Sequence, residues 1–309
     1  LAAHARSGLK IGAFSAASNV TGVVTDVDAV TRTLKRHGAL AIWDYAGGAP
    51  YLAIDMAPGA GIEKDAVVAS PHKFPGGPGA SGILIVRRGV VRAQRPTWPG
   101  GSTVSFVSPW DHDYVADIAA REEGGTPNVI GDIRAALAFL VKEAVGQDWI
   151  TAREAALNAM ALAVWQRHPR LQLLGCRHPH RLPIFSFRVR DGAGGFIHHQ
   201  LFTRMLSDVH GVQARGGCAC AGPYAHRLLD IDAAASRALR AAIAAGHELE
   251  KPGWVRLNFS YLMDDATAQT VIDAVDRLAW QAPQLAARYR ADSRTARFRI
   301  AEDAAAKAR

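Results

Sequence analysis

The residue of this chain best placed for covalent chemistry is a lysine, Lys73, in the run Ser70-Pro71-His72-Lys73-Phe74-Pro75-Gly76-Gly77-Pro78-Gly79. Before it, Asp65-Ala66-Val67-Val68-Ala69 reads as a short buried strand, and after it Gly82-Ile83-Leu84-Ile85-Val86 reads as another. The lysine therefore stands at a strand end, ahead of a glycine-rich turn. An amine held partly neutral by burial or by neighbouring cations attacks a carbonyl carbon, and a Schiff base with pyridoxal phosphate is the commonest use of such a site. Ser70 and His72 beside it are candidate phosphate ligands. The plain alternative is a solvated lysine at a turn, and the run alone does not decide between them.

The elements that would position Lys73 follow a recognisable order. Lys10 to Ser15 reads as a strand, Ser18-Asn19-Val20-Thr21-Gly22 as a turn, and a helix follows, capped by Thr25 or Asp26, with Val27, Val30 and Leu34 at helical spacing. Gly38 ends it after Lys35, Arg36 and His37. Ala39 to Trp43 is then an apolar strand ending in Asp44. Strand, helix, strand is the βαβ pattern of a parallel sheet, in which ligands gather at the carboxyl ends of the strands. Asn19, Asp44 and Lys73 all fall at such ends, although Asp44 and Asn19 are also ordinary turn residues.

Farther along, the loops around Arg95–Thr103 and Glu122–Asn128 are of the kind that carries function. A helix is expected from about Asp132 to Ala144, with Ile133, Leu137, Leu140 and Val141 on one face, and a second from about Thr151 to Arg167. The rest alternates strands, at Pro183–Val189 and Trp254–Phe259, with helices at His199–Val209 and Ala266–Trp280. Three segments are expected: 1–135, a partial cofactor-binding large domain; 136–285, a smaller C-terminal α+β domain; and 286–309, a basic helical or disordered tail.

Composition narrows the class. The 309 residues are 49% hydrophobic, with a net charge of +8 from 36 basic and 28 acidic side chains. The length is enough for one large or two smaller cores. No apolar run approaches membrane-spanning length and the start lacks the apolar core of a secretory signal, so a cytoplasmic protein is expected, with no membrane partner. The basic residues form no stripe interleaved with aromatics, which argues against nucleic acid as a partner. Three cysteines, Cys176, Cys218 and Cys220, make no disulfide framework. The Cys218-x-Cys220 pair, with His210 or His226 nearby, fits no usual structural zinc spacing, so no metal site is expected.

Taken in order, the turn at Ser18–Gly22, Asp44, Ser70–Lys73, Gly100-Gly101-Ser102-Thr103-Val104, Gly125-Thr126-Pro127-Asn128 and Arg215-Gly216-Gly217-Cys218-Ala219-Cys220-Ala221 resemble the cysteine desulfurase and selenocysteine lyase branch of the class V aminotransferase family. The resemblance runs to about Trp280. It implies an α/β protein of the fold-type I pyridoxal-phosphate class, with a mostly parallel sheet in the large domain and a smaller C-terminal α+β domain. It implies that Lys73 bears the cofactor as a Schiff base and shuttles the substrate's alpha proton, and that Asp44 faces the pyridine nitrogen, keeping it protonated. Asn19 would bond the phenolic oxygen, and Ser70 and His72 the phosphate. Thr103 matches a position that reaches the phosphate of a neighbouring subunit, which implies a homodimer. Arg256 matches the arginine that clamps the carboxylate of an amino-acid substrate. Cys220, five residues after Arg215, matches the thiol that takes sulfur as a persulfide and passes it to an acceptor protein.

Three departures qualify these expectations. The place three residues after Asp44, where the family has Gln or His near the cofactor, is Gly47. The family's Thr-Gly-x-His before the sulfur-carrying cysteine is replaced by Gly216-Gly217-Cys218-Ala219, so a thiol-activating histidine is missing. Only 72 residues precede Lys73, which lies near mid-chain in the family, and the ring-stacking His and the N-terminal phosphate cradle have no counterpart. A truncated front is therefore expected. Two further readings stand: a class V aminotransferase or other pyridoxal-phosphate lyase without sulfur transfer, and an inactive fragment or scaffold that cannot complete the cofactor site.

Overall fold

Asp26 starts the first helix, as its side chain allows: the carboxylate accepts a hydrogen bond from the Ala29 amide and satisfies one of the free donors of the opening turn. In the computed structural model, which describes residues 1–4, 8–175, 180–218 and 221–301, this helix links two parallel strands. Strand β1 spans Ile11–Ser15, helix α1 Val27–Arg36 and strand β2 Leu40–Asp44. Gly38, at φ +63°, turns the chain between helix and strand. Strand β3, Ala66–Ala69, lies parallel to β2, and β4, Ile83–Val86, returns antiparallel to β3 after the glycine-rich turn. The order is β1-β2-β3-β4, a mostly parallel sheet.

Ala41, Trp43, Val67 and Ala69 from these strands pack with Leu34 and Phe74 into one core. Buried Trp43 donates its indole N–H to Thr31 Oγ1 at 2.9 Å, tying α1 to β2. A second tie is ionic. Asp65, just before β3, is buried, takes Lys35 Nζ at 2.5 Å and accepts the Ala41 amide at 2.7 Å. A charged hydrogen bond in this setting is worth about 1.5–3 kcal/mol. Asp65→Asn is accordingly expected to lower the unfolding free energy by about 2 kcal/mol, read as a lower urea midpoint at unchanged slope; a shift smaller than about 0.5 kcal/mol would show that the cluster is idle.

Strands β5, Val104–Val107, and β6, His112–Tyr114, form a hairpin, and helix α2 covers Ile118–Glu122. Helix α3, Val129–Val145, then leads into α4, Gln147–Trp165. Helix α3 is apolar on two faces. The inward face is built of small residues, Gly131, Ala135 and Ala138, and a Cβ on Gly131 would come within 2.6 Å of Ser81 Oγ. The face read from sequence periodicity, Ile133, Leu137, Leu140 and Val141, points outward instead, with Leu140 58% exposed.

The remaining strands are β7, Leu171–Leu173; β8, Ile184–Arg190; β9, Phe196–Ile197; β10, Arg215–Gly217; and β11, Trp254–Asn258. They form an antiparallel sheet in the order β10-β11-β8-β7, with β9 also against β8. Its helices are α5, His199–His210; α6, Gly222–Leu228; α7, Ala233–Ala244; and α8, Asp265–Ala286. Phe185, Phe187 and Val189 of β8 alternate inward with Val255 and Leu257 of β11 and pack on Trp165, Phe202, Ile272 and Leu278. Within 286–309, expected as a basic helical or disordered tail, the described residues hold a hairpin after α8, made of β12, Tyr289–Asp292, and β13, Arg297–Ile300; residues 302–309 lie outside the described residues. Tyr289 and Phe298, both half-buried, pack against the same core and tie the otherwise exposed hairpin to it.

Contacts divide the chain into two compact units, Leu1–Ala17 with Thr25–Ile150, and Ser18–Val24 with Thr151–Arg309. All of α3 belongs to the first, whereas the sequence alone placed a boundary at residue 135, inside that helix.

Candidate active site

In the first unit the carboxyl ends of β2 and β3 are neighbours, with Asp44 in register with Val68, and they carry the acid and the base of the sequence expectation. Asp44 is exposed. Its Oδ1 accepts the Ala46 amide at 2.7 Å, so the residue also shapes the turn that leaves the strand. After β3, Ser70 leads into a single 3₁₀ turn, Pro71–Lys73. The turn is closed by Lys73 N–H to Ser70 O at 3.0 Å and Phe74 N–H to Pro71 O at 2.9 Å.

Phe74 anchors this turn. It is buried against Phe139 of α3, with ring centroids 4.9 Å apart, while His72 and Lys73 on either side of the turn's outer edge stay exposed. Gly77 makes the return possible, because a Cβ there would sit 1.9 Å from Pro71 O. Among the described residues the Lys73 ammonium has no hydrogen bond or ion pair, and Ser70 makes no capping bond. The lysine is therefore solvated rather than buried. A free amine, a hydroxyl, an imidazole and a carboxylate at adjoining strand ends form a donor set that fits pyridoxal phosphate: one group for the aldehyde carbon, two for the phosphate and one for the ring nitrogen.

Thr103 is engaged by its own loop in the single chain. It is fully buried, and its hydroxyl donates to Gly100 O at 2.6 Å and accepts the Gly100 amide at 3.2 Å, closing its own loop. Ser102 beside it holds the left-handed φ of +68°. A role toward a second subunit would require this loop to open.

In the second unit the turn at Ser18–Gly22 is fastened to the antiparallel sheet. Ser18 Oγ accepts the Val20 and Thr21 amides, buried Ser186 donates its hydroxyl to Val20 O at 2.6 Å, and Arg256 Nη1 donates to Asn19 O at 3.0 Å. The structure thus brings Asn19 and Arg256 together. Gly22, at φ +74°, is packed so closely that a Cβ would lie 2.5 Å from Leu182 O. Across the sheet Arg256 pairs in register with Ser186 on one side and Arg215 on the other. Two arginines directly opposite set two guanidinium groups where one carboxylate can take both. Arg215 is a functional candidate missed in the sequence. It was visible there only as the start of a cysteine motif, and its pairing with Arg256 joins residues far apart in the chain.

Cys218, the residue that follows strand β10, is half-buried against the cluster of Val20, Leu174, Ala225 and Trp254. Cys220 and Cys176 lie outside the described residues. Among those that are described, no cluster of three or more His, Cys, Asp or Glu is arranged to hold a metal ion, and no helix is long and apolar enough to cross a membrane.

Residues 1–250 match the description of the class-V aminotransferases. The chain belongs to that family. A probable cysteine desulfurase of Halalkalibacterium halodurans is 30% identical over 227 residues, covering 73% of this chain and 52% of the relative. A probable cysteine desulfurase of Staphylococcus epidermidis is 32% identical over 215 residues, covering 69% and 49%. The class-V chain thus spans about half the length of the curated relatives it matches. Among solved structures, the apo cysteine desulfurase of Thermococcus onnurineus aligns with a TM-score of 0.69 at 23% identity, over 88% of this chain and 60% of that one. A cysteine desulfurase of Escherichia coli aligns at 0.66 and 24% identity, over 88% and 59%. These likenesses establish the fold as that of the fold-type I class.

Proposed function

We propose that this class-V aminotransferase family member takes part in pyridoxal-phosphate chemistry on an amino acid, as a cysteine desulfurase. The observation that carries the reading is the free amine of Lys73 and the carboxylate of Asp44 at the ends of adjacent parallel strands. Pyridoxal phosphate, when bound, supplies an electron sink for negative charge at the substrate's alpha carbon. Lys73 is the amine that tethers it and the group that takes and returns the alpha proton. Asp44 holds a proton on the ring nitrogen through a charge-assisted hydrogen bond, and Ser70 and His72 receive the phosphate. Asn19 bonds the phenolic oxygen. Arg256, with Arg215 opposite, takes the substrate carboxylate, and the thiol of Cys220 takes the sulfur and passes it to an acceptor protein. A cytoplasmic homodimer in which Thr103 reaches the partner's phosphate is part of the same reading.

One observation favours a second reading within the family, amino transfer or another elimination without sulfur transfer: no histidine stands in Arg215-Gly216-Gly217-Cys218-Ala219-Cys220 to activate the thiol.

The test is covalent trapping. Borohydride treatment of the chain incubated with pyridoxal phosphate is expected to leave a reduced phosphopyridoxyl adduct on the peptide containing Lys73, found by mass spectrometry and absent from Lys73→Ala. Adduct spread over surface lysines, with none favoured at Lys73, refutes the proposal.

A further inference from the structure

We infer that the second unit holds a separate site for a small organic carboxylate with an apolar body, its oxyanion received by Arg188 in the lining of a cavity of about 290 Å³. The cavity is walled by β8, β9 and β11, by the segment after α6, and by Lys251 and Pro252 ahead of β11. Arg188 is the reason to expect an anion. Its guanidinium lies 3.4 Å from the centroid of the Phe196 ring, and Arg190 stands over the same ring at 5.4 Å. Among the described residues no carboxylate pairs with it. Burial, and after it the charge of Arg190, lowers the pKa of this guanidinium, which is the mark of a cation short of counter-charge.

A half-buried cation without a partner is costly, and a stacked ring offsets only part of that cost. The other polar groups of the cavity point the same way. Trp254 is fully buried, and its indole N–H has no acceptor among the described residues. Val255 pairs with Phe187, which sets the preceding Trp254 beside Arg188 on the neighbouring strand. Lys251 is already engaged by Glu248 at 2.5 Å, so the uncommitted cation is Arg188. Burial pushes His199 down to about 4, which leaves it neutral at physiological pH. The head of the ligand therefore meets hydrogen-bond donors, as a carboxylate requires. The remaining wall is apolar, from Ile197, Leu229, Ile231 and Leu239, and this selects an alkyl or aryl body over a free inorganic anion.

The site is independent of the cofactor reading, because Arg188 and its neighbours have no part in it. Hexanoate is a suitable probe, with hexanol and inorganic phosphate as the two controls, titrated calorimetrically into the full 309-residue chain. Saturable binding of hexanoate is expected, weakened about tenfold or more by Arg188→Gln, the loss that accompanies removal of one charged hydrogen-bonding partner. Ile231→Trp, which fills the apolar wall and keeps the cation, is expected to abolish binding, and it decides the matter alone if circular dichroism shows Arg188→Gln unfolded. The inference is overturned if hexanoate does not saturate, if hexanol binds equally well, if phosphate binds as tightly as hexanoate, or if binding survives Ile231→Trp.

Discussion

Cys220→Ala is expected to abolish sulfide release from cysteine by the pyridoxal-phosphate-loaded protein, assayed with excess dithiothreitol to reduce the persulfide, by about a thousandfold or more, the order of loss when a nucleophile is removed. The reason lies in the partition of labour. On the proposed reading the bound cofactor would stabilise negative charge at the alpha carbon whatever happens to the side chain, but the sulfur would leave only if a thiolate attacked it, a sulfur–sulfur bond forming on the enzyme as the carbon–sulfur bond breaks and its electron pair stays with the substrate carbon. The same variant should retain the Lys73 adduct, because nothing in the tether depends on the thiol. Cys218→Ala makes the matching control: its side chain packs against the cluster of Val20, Leu174, Ala225 and Trp254, and its loss should alter stability more than turnover. Sulfide release that survives in Cys220→Ala at the parent rate would transfer the chemistry to another group. An undiminished amino transfer in both variants, with no sulfide from either or from the parent, would favour the reading without sulfur transfer.

The first unit is largely legible in the sequence, because its signals are local. Asp26 is a good helix cap, Gly38 supplies a positive φ, and the apolar runs ending in Asp44 and before Ser70 are long enough only for strands. Residue type and strand-end position together picked out Lys73 and Asp44. What those signals could not carry was direction. Helix α3 has two apolar faces, and the 3.6-residue period marks both; only packing shows that the small side chains at 131, 135 and 138 go inward while the large ones go outward.

Non-local pairing was the second blind spot. The β12–β13 hairpin turns through Ser293-Arg294-Thr295-Ala296, with Ala296 at φ +52°, and has none of the Asn-Gly or Asp-Gly chemistry that announces a two-residue hairpin turn. Its arginines also disguise the alternation of Tyr289, Ala291, Phe298 and Ile300. The facing of Arg215 and Arg256 depends on the register of β10 against β11, and the sorting of Ser18–Val24 with the later part of the chain depends on Ser186 and Arg256 reaching back to it. Thr103 shows the converse limit: its type suited a phosphate, but its hydroxyl is taken up by its own loop.

Stability is expected to fall by about 3 kcal/mol from the titration of His199 alone as the pH drops from about 7 to about 4. The imidazole is half-buried against β10 and the Gly253 backbone, where a Cβ on Gly253 would lie 2.9 Å from its Cε1. Burial first, and the neighbouring His198 second, push its pKa down from 6.5 to about 4. A base whose pKa is lowered in the folded state binds fewer protons there than in the unfolded chain, so between the two values stability rises with pH. The native state has its full advantage above pH about 6.5, loses it progressively on acidification, and has nothing more to lose from this group below about 4. His168, His198 and His210 are lowered for the same first reason, burial, so they add to the slope with the same sign. Urea midpoints of the parent and of His199→Gln across this range isolate the one residue: the neutral amide should flatten the acid limb by the stated amount. An equal pH slope in both proteins would mean that the ring is protonated without strain, and therefore that solvent reaches it.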